Sequence, residues 1–109
     1  MSDTTLAPVR LCPISQVSDN EILKIAIDGH DALAVVKSGD TYFVCDDLCP
    51  HAAASLAEGY LEEGRIVCPV HYAEFDLGSG EAHHAPPGCG TLRFYNTAII
   101  DGDLFAYLS

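Results

Sequence analysis

The sequence predicts an all-β domain, an antiparallel β base that is discontinuous in sequence and carries an inserted, loop-rich subdomain. Apolar and β-branched runs at short spacing occupy both outer parts of the chain. Gly and Asp punctuate those runs, as the turns of antiparallel sheets require. The middle, from Cys49 to Ala85, is instead rich in Gly, Pro and small residues, broken by a short apolar run at Ile66-Val67.

In chain order, Glu21 to Ile27 and Ala32 to Lys37 flank Asp28-Gly29, a strong hairpin signal. Thr41 to Cys45 follows the turn Ser38-Gly39-Asp40. At the far end, Ala98-Ile99-Ile100 and Leu104 to Leu108 flank Asp101-Gly102-Asp103. Between these parts, Ala54 to Glu63 has some helical spacing in Leu56, Tyr60 and Leu61. Gly59 and Gly64 interrupt it, so loop and short strand are expected there.

With 109 residues the chain suits one domain with a real core. A hydrophobic content of 49% argues against a disordered segment. Sixteen acidic residues against five Lys and Arg give a formal charge of −11, which excludes nucleic acid and anionic membrane surfaces as partners and favours a basic protein. Eight acids (Asp46, Asp47, Glu58, Glu62, Glu63, Glu74, Asp76, Glu81) fall between Cys45 and Glu81 beside one base, Arg65. They read either as a solvated surface or as an acidic collar that steers a basic partner. The first eleven residues show no secretory pattern. The apolar run Ala32 to Val36 is far short of the roughly 18 residues of a membrane span. A soluble, cytoplasmic protein is expected, and an odd count of five cysteines fits a reducing compartment.

Two cysteine–histidine pairs carry the chemistry. Cys49-Pro50-His51 and Cys68-Pro69-Val70-His71 offer two thiolates and two imidazoles as mixed pairs, with sixteen residues between His51 and Cys68. Such a set suits a binuclear iron–sulfur centre with both sulfurs on one iron and both nitrogens on the other. A zinc ion also takes two Cys and two His, so the pairs alone leave two metals open. The remaining cysteines, Cys12, Cys45 and Cys89, are expected to pack as small apolar residues or sit as idle thiols. His30 falls in an expected turn. His83 and His84 lie before the prolines, adjacent but without a third ligand, which favours solvated side chains over a second metal site.

Together with Phe75-Asp76-Leu77, Gly80-Glu81 and Ala85-Pro86-Pro87, these pairs resemble the Rieske iron–sulfur domain, and in particular the small Rieske ferredoxins that serve bacterial aromatic-ring dioxygenases. The resemblance covers essentially the whole chain. It implies a Rieske fold over residues 1–109, with a cluster-binding subdomain at about 45–86 and a β base at about 6–44 and 87–109. It also implies one 2Fe–2S cluster, held on one iron by Cys49 and Cys68 and on the other by His51 and His71 through Nδ1. Ala85-Pro86-Pro87-Gly88 matches the family's proline-rich loop over the cluster, which prolines stiffen.

The departures matter as much. Respiratory and photosynthetic members join the two ligand loops by a disulfide at positions held here by Ala54 and Val70, and place hydroxyls on the cluster where this chain has Ala73 and Phe75. Fewer bonds to sulfur mean a less stabilised reduced state, so the expected potential lies near roughly −150 mV rather than +300 mV, the low end of the general Rieske range. Tyr72 stands where Gly is common after the second His; surface variation is favoured over partner contact.

The implied function is that of a soluble one-electron carrier between a flavin-dependent ferredoxin reductase and a terminal aromatic-ring oxygenase, with no substrate chemistry of its own. No nucleotide-binding Gly motif or nucleophile–base pattern appears, and the length leaves no room for a mononuclear iron domain. Two alternatives are the Rieske-type small subunit of an NAD(P)H-dependent nitrite reductase and a structural zinc module. Ligand spacing opposes zinc, which usually pairs Cys with Cys and His with His.

Overall fold

The turn residues set the architecture. In the computed structural model, which describes residues 7–50, 54–70, 72–85 and 89–108, β2 (Ile22–Ile27) and β3 (His30–Ser38) fold back at Asp28-Gly29, and β3 continues into β4 (Thr41–Asp46) through Gly39-Asp40. Near the C-terminus, β10 (Thr97–Ile100) and β11 (Asp103–Ala106) are joined by Asp101 and Gly102, with φ of 52° and 82°. Two consecutive positive φ values make a hairpin turn whose twist matches that of the strands.

Eleven strands form three sheets among the described residues, all of them antiparallel. The first has the order β1-β11-β10, where β1 is Val9–Pro13. The second runs β2-β3-β4-β9, where β9 is Phe94–Tyr95. The third contains β5 (Tyr60–Glu62), β6 (Arg65–Val67), β7 (Glu74–Asp76) and β8 (Ala82–His83) in sequential order. No helix of the described residues is long and apolar enough to cross a membrane.

β3 explains how the sheets stack. Successive side chains of a strand point to opposite faces. Leu33 and Val35 enter one core with Leu11, Val44, Leu104 and Ala106. Ala34 and Val36 enter another with Cys45, Leu56, Ile66, Phe75 and Leu92. All four β3 residues are fully buried. The β2-β3-β4-β9 sheet is therefore a middle layer between the terminal sheet and the small third sheet. That is why β3 reads as a continuous apolar run rather than an alternation.

The inserted part differs from its expected loop character. It contains a four-stranded sheet of its own, whose Ile66 and Phe75 are buried in the second core. Ala54 to Glu63 resolves into a 3₁₀ turn, Leu56–Glu58, followed by β5. Gly59 sits between them because a methyl there would come 1.9 Å from the Val67 carbonyl oxygen. His30 opens β3 rather than lying in the turn, with Nδ1 2.8 Å from its neighbour's carbonyl at Asp31.

Candidate metal centre

Both cysteine loops are closed by the same device. The Cys49 N–H donates to the Ala54 carbonyl at 3.0 Å, and the Cys68 N–H donates to the Ala73 carbonyl at 2.8 Å. Each closure ties a cysteine to the residue five positions on. Cys49 is 3% exposed and Cys68 fully buried, and both lie in the core shared with Ala73 and Phe75. The structure brings the two predicted thiol positions to one core, at the ends of two separate loops. The predicted ligands His51 and His71, and Pro86, Pro87 and Gly88 of the expected lid, lie outside the described residues.

The first loop is anchored by two acids at the end of β4. Asp46 Oδ1 accepts a 2.6 Å hydrogen bond from the Tyr95 hydroxyl. Burial, then this bond to a carboxylate, push the Tyr95 phenol up to about 12. Asp47 is the buried charged side chain among the described residues, and it joins both ends of the loop. Its Oδ2 accepts from Ser55 Oγ at 2.6 Å, its Oδ1 from the Ala57 N–H at 2.9 Å, and its carbonyl from the Leu56 N–H at 2.7 Å. An isolated bridge between Leu48 and Ser55 completes the closure.

The second loop leaves β6 and returns on β7. The Val70 N–H points at Cys68 Sγ, 3.4 Å away. A backbone N–H on a cysteine sulfur stabilises thiolate character and is the kind of bond that tunes a bound metal centre. Arg65 and Asp76 brace the opposite end of the small sheet. Arg65 Nε lies 3.0 Å from Asp76 Oδ1, Arg65 Nη1 2.9 Å from Glu74 Oε1, and His83 Nε2 3.0 Å from Asp76 Oδ2. The hydrogen bond from His83, followed by that from Arg65, holds the Asp76 carboxyl below the usual range. Asp76, Glu81 and His83 bring their ligand atoms within 4.8 Å, but both Asp76 oxygens are already engaged, so the trio reads as a cross-strand latch. His84 sits at φ 54° after β8.

The donor set and its surroundings fit an iron–sulfur cluster. Two buried sulfurs arrive from separate loops within an apolar wall of Leu56, Ala73, Phe75 and Leu92. Ala85 and Cys89, on either side of the lid sequence, pack against the same core. Ala54 and Val70 pack there too, and Ala73 and Phe75 are fully buried, so no hydroxyl is offered from those two positions. Cys12 and Cys45 are buried thiols, as expected for small apolar residues, and burial pushes both up.

Seven of the eight carboxylates do not form a collar, and the eighth, Glu58, is exposed on the 3₁₀ turn Leu56–Glu58 that follows the first cysteine loop. Because β6 runs from Arg65 toward Cys68, Glu62, Glu63 and Glu81 lie near turns at the end of the small sheet away from the cysteine loop. Asp46, Asp47, Glu74 and Asp76 are engaged as described above. Two exposed apolar side chains also flank the loops, Leu48 at 55% and Tyr72 at 64%. Tyr72 also has φ 58°, the left-handed region that favours glycine, which accounts for Gly being common there. The charge roles of Asp47 and Arg65 escaped the sequence reading, since a carboxylate or guanidinium near a ligand looks like any surface charge.

Comparison with known proteins adds the family. Residues 7–96 match the family model described as Rieske [2Fe-2S] domain. The chain is 36% identical over 95 residues to the 3-phenylpropionate/cinnamic acid dioxygenase ferredoxin subunit of Escherichia coli (strain K12), covering 86% of this chain and 87% of that protein. The solved Sphingomonas yanoikuyae B1 ferredoxin superposes with a TM-score of 0.87 at 33% identity, covering 94% of this chain and all 100% of that one. A chain in the solved complex of reduced oxygenase and oxidized ferredoxin in carbazole 1,9a-dioxygenase gives a TM-score of 0.82 at 28% identity, covering 92% of each chain. The two buried cysteines, the three-sheet fold and these matches agree: the chain belongs to the Rieske 2Fe–2S family, among the ferredoxin subunits of aromatic dioxygenase systems.

Proposed function

We propose that this ferredoxin is a mobile one-electron relay that takes electrons from a flavin-dependent reductase and delivers them to the terminal oxygenase of an aromatic-ring dioxygenase. The 2Fe–2S cluster supplies a single-electron store. Cys49 and Cys68 would hold one iron as thiolates, and His51 and His71 the other, within a cluster-bearing unit at about 45–86 set on a base of about 6–44 and 87–109. The observation that carries this reading is the matched closure of the two cysteine loops, each from a cysteine N–H to the carbonyl five residues on. It places two sulfurs in one apolar core.

The chain's own residues define what the relay does. Leu56, Phe75 and Leu92 exclude water from the cysteine side of the centre. The Val70 N–H stabilises the Cys68 sulfur. The buried, hydroxyl-free Ala73 and Phe75 support a potential at the low end of the Rieske range, roughly −150 mV. Leu48 and Tyr72 offer an apolar contact beside the ligand loops, while the net charge of −11 draws a basic partner from a distance. The relay works in the cytoplasm alongside its reductase and oxygenase.

Anaerobic purification, iron and acid-labile sulfide assays, and EPR after dithionite reduction test the ligand set. The expected result is a rhombic signal with iron and sulfide in equal amounts, abolished in Cys68→Ser and altered in His71→Cys. A colourless protein holding zinc would sink the reading. Oxygenase turnover with purified reductase must then depend on this protein.

A further inference from the structure

The acid that locks the first loop also puts a buried carboxylate two residues before a proposed cluster ligand. Asp47 lies two residues before Cys49 and is 4% exposed. Its two hydrogen-bond donors, Ser55 Oγ and the Ala57 N–H, are both neutral. Its cationic partner is Lys24 on β2, whose Nζ stands 3.6 Å from Oδ2 with a side chain 54% exposed. Both line an open depression of about 290 Å³ that also touches exposed Asp31 and Leu48, Ala54 and Ser55 of the loop. A buried carboxylate therefore keeps most of its field toward the protein interior, while water screens much of the ammonium's.

We propose that Asp47 and Lys24 form a potential-setting pair. Asp47 positions the first cysteine loop and lowers the reduction potential, and Lys24 partly offsets it. The physical reason is the sign of the reaction. One-electron reduction adds one negative charge to the centre, so a nearby buried anion disfavours the reduced form and a nearby cation favours it. The unequal burial of the partners leaves a net lowering. The inference rests on Cys49 as a ligand and deepens the relay reading: the pair, together with the missing hydroxyls at positions 73 and 75, holds this carrier low.

Redox titration of the iron-loaded protein, with dithionite as the electron source and EPR as the readout, tests it. Asp47→Asn keeps an acceptor for the loop's donors and removes the charge; its potential is expected to rise with the EPR line shape unchanged. Lys24→Gln is expected to shift the potential downward by a smaller amount, and Lys24→Glu further in the same direction. Raising ionic strength should shrink the Lys24 shifts and leave the Asp47 shift largely intact. A purely structural role predicts altered line shape and lower thermal stability, with no opposition of sign. Shifts of the same sign in the Asp47 and Lys24 variants, or no shift in either, overturn the proposal. If Asp47→Asn loses its cluster, the two Lys24 variants still decide through their sign and salt dependence. A wild-type protein without a rhombic signal would overturn the ligand assignment itself, a distinct failure.

Discussion

Tyr72 keeps an ordinary side chain in the left-handed region, at φ 58°, which costs roughly 1–2 kcal/mol. Glycine removes that strain but adds about 0.5–1 kcal/mol of unfolded-state entropy. Tyr72→Gly is therefore expected to stabilise the protein by up to about 1 kcal/mol, or about 4–8 °C in Tm, read by thermal unfolding. A lower Tm would mean that the ring packs more than its exposure suggests. Tyr95 gives the pH counterpart. Its phenol titrates at about 12 instead of 10.0 because burial and Asp46 both oppose the phenolate. The stability it contributes is whole below pH 10 and is lost as pH rises through about 12. Tyr95→Phe should flatten the alkaline decline of Tm over that window, and an unchanged decline would assign it to other groups.

At the scale of elements, the 3₁₀ turn and β6 approach each other closely beside the second cysteine loop. A Cβ on Gly59 would meet the Val67 carbonyl oxygen at 1.9 Å and Pro69 Cδ at 3.2 Å. The first of these is backbone, which cannot rotate away. Gly59→Ala is expected to cost about 1–3 kcal/mol and to lower iron content, measured by thermal unfolding and metal assay on one preparation. The sequence made some elements plain and hid others, for physical reasons. β2, β3 and β4 were legible because long apolar runs meet at Asp28-Gly29 and Gly39-Asp40. The third sheet was not, since strands of two or three residues such as Arg65–Val67 and Glu74–Asp76 are too short to establish a period. Their stability comes from Ile66 and Phe75 entering a core built elsewhere in the chain. In the site, spacing singled out Cys49 and Cys68, the two cysteines that the structure brings to one core. The Asp47 closure was not legible, because burial of an aspartate depends on partners eight and ten residues away.

For the whole molecule, most of the exposed acids of the small sheet lie apart from the exposed apolar side chains beside the loops. A net charge of −11 sets a long-range field, yet Glu62, Glu63 and Glu81 sit toward the end of the small sheet away from the cysteine loop, and exposed Leu48 and Tyr72 flank the loops. Encounter and docking should then respond to different variables. The second-order rate of electron transfer to the oxygenase is expected to fall steeply between about 0.01 M and about 1 M ionic strength. Leu48→Ser should slow transfer at every salt concentration without changing that slope, as stopped-flow mixing would show. A changed slope would place the carboxylates in the contact itself.

The two-sided burial of β3 has a consequence for how the protein comes apart. Among the described residues, Leu33 and Val35 belong to a core without Cys49 and Cys68, whereas Ala34 and Val36 share theirs with both. Stripping the iron removes cross-links from one side of that strand and leaves the other side as it was. Amide hydrogen exchange after chelation should accelerate through residues 54–70 and 72–85, while the β3–β4 amides stay slow. Uniform acceleration would show one cooperative unit. The expected outcome is two foldons divided by a single strand, so that a chain waiting for its cluster already possesses a settled half.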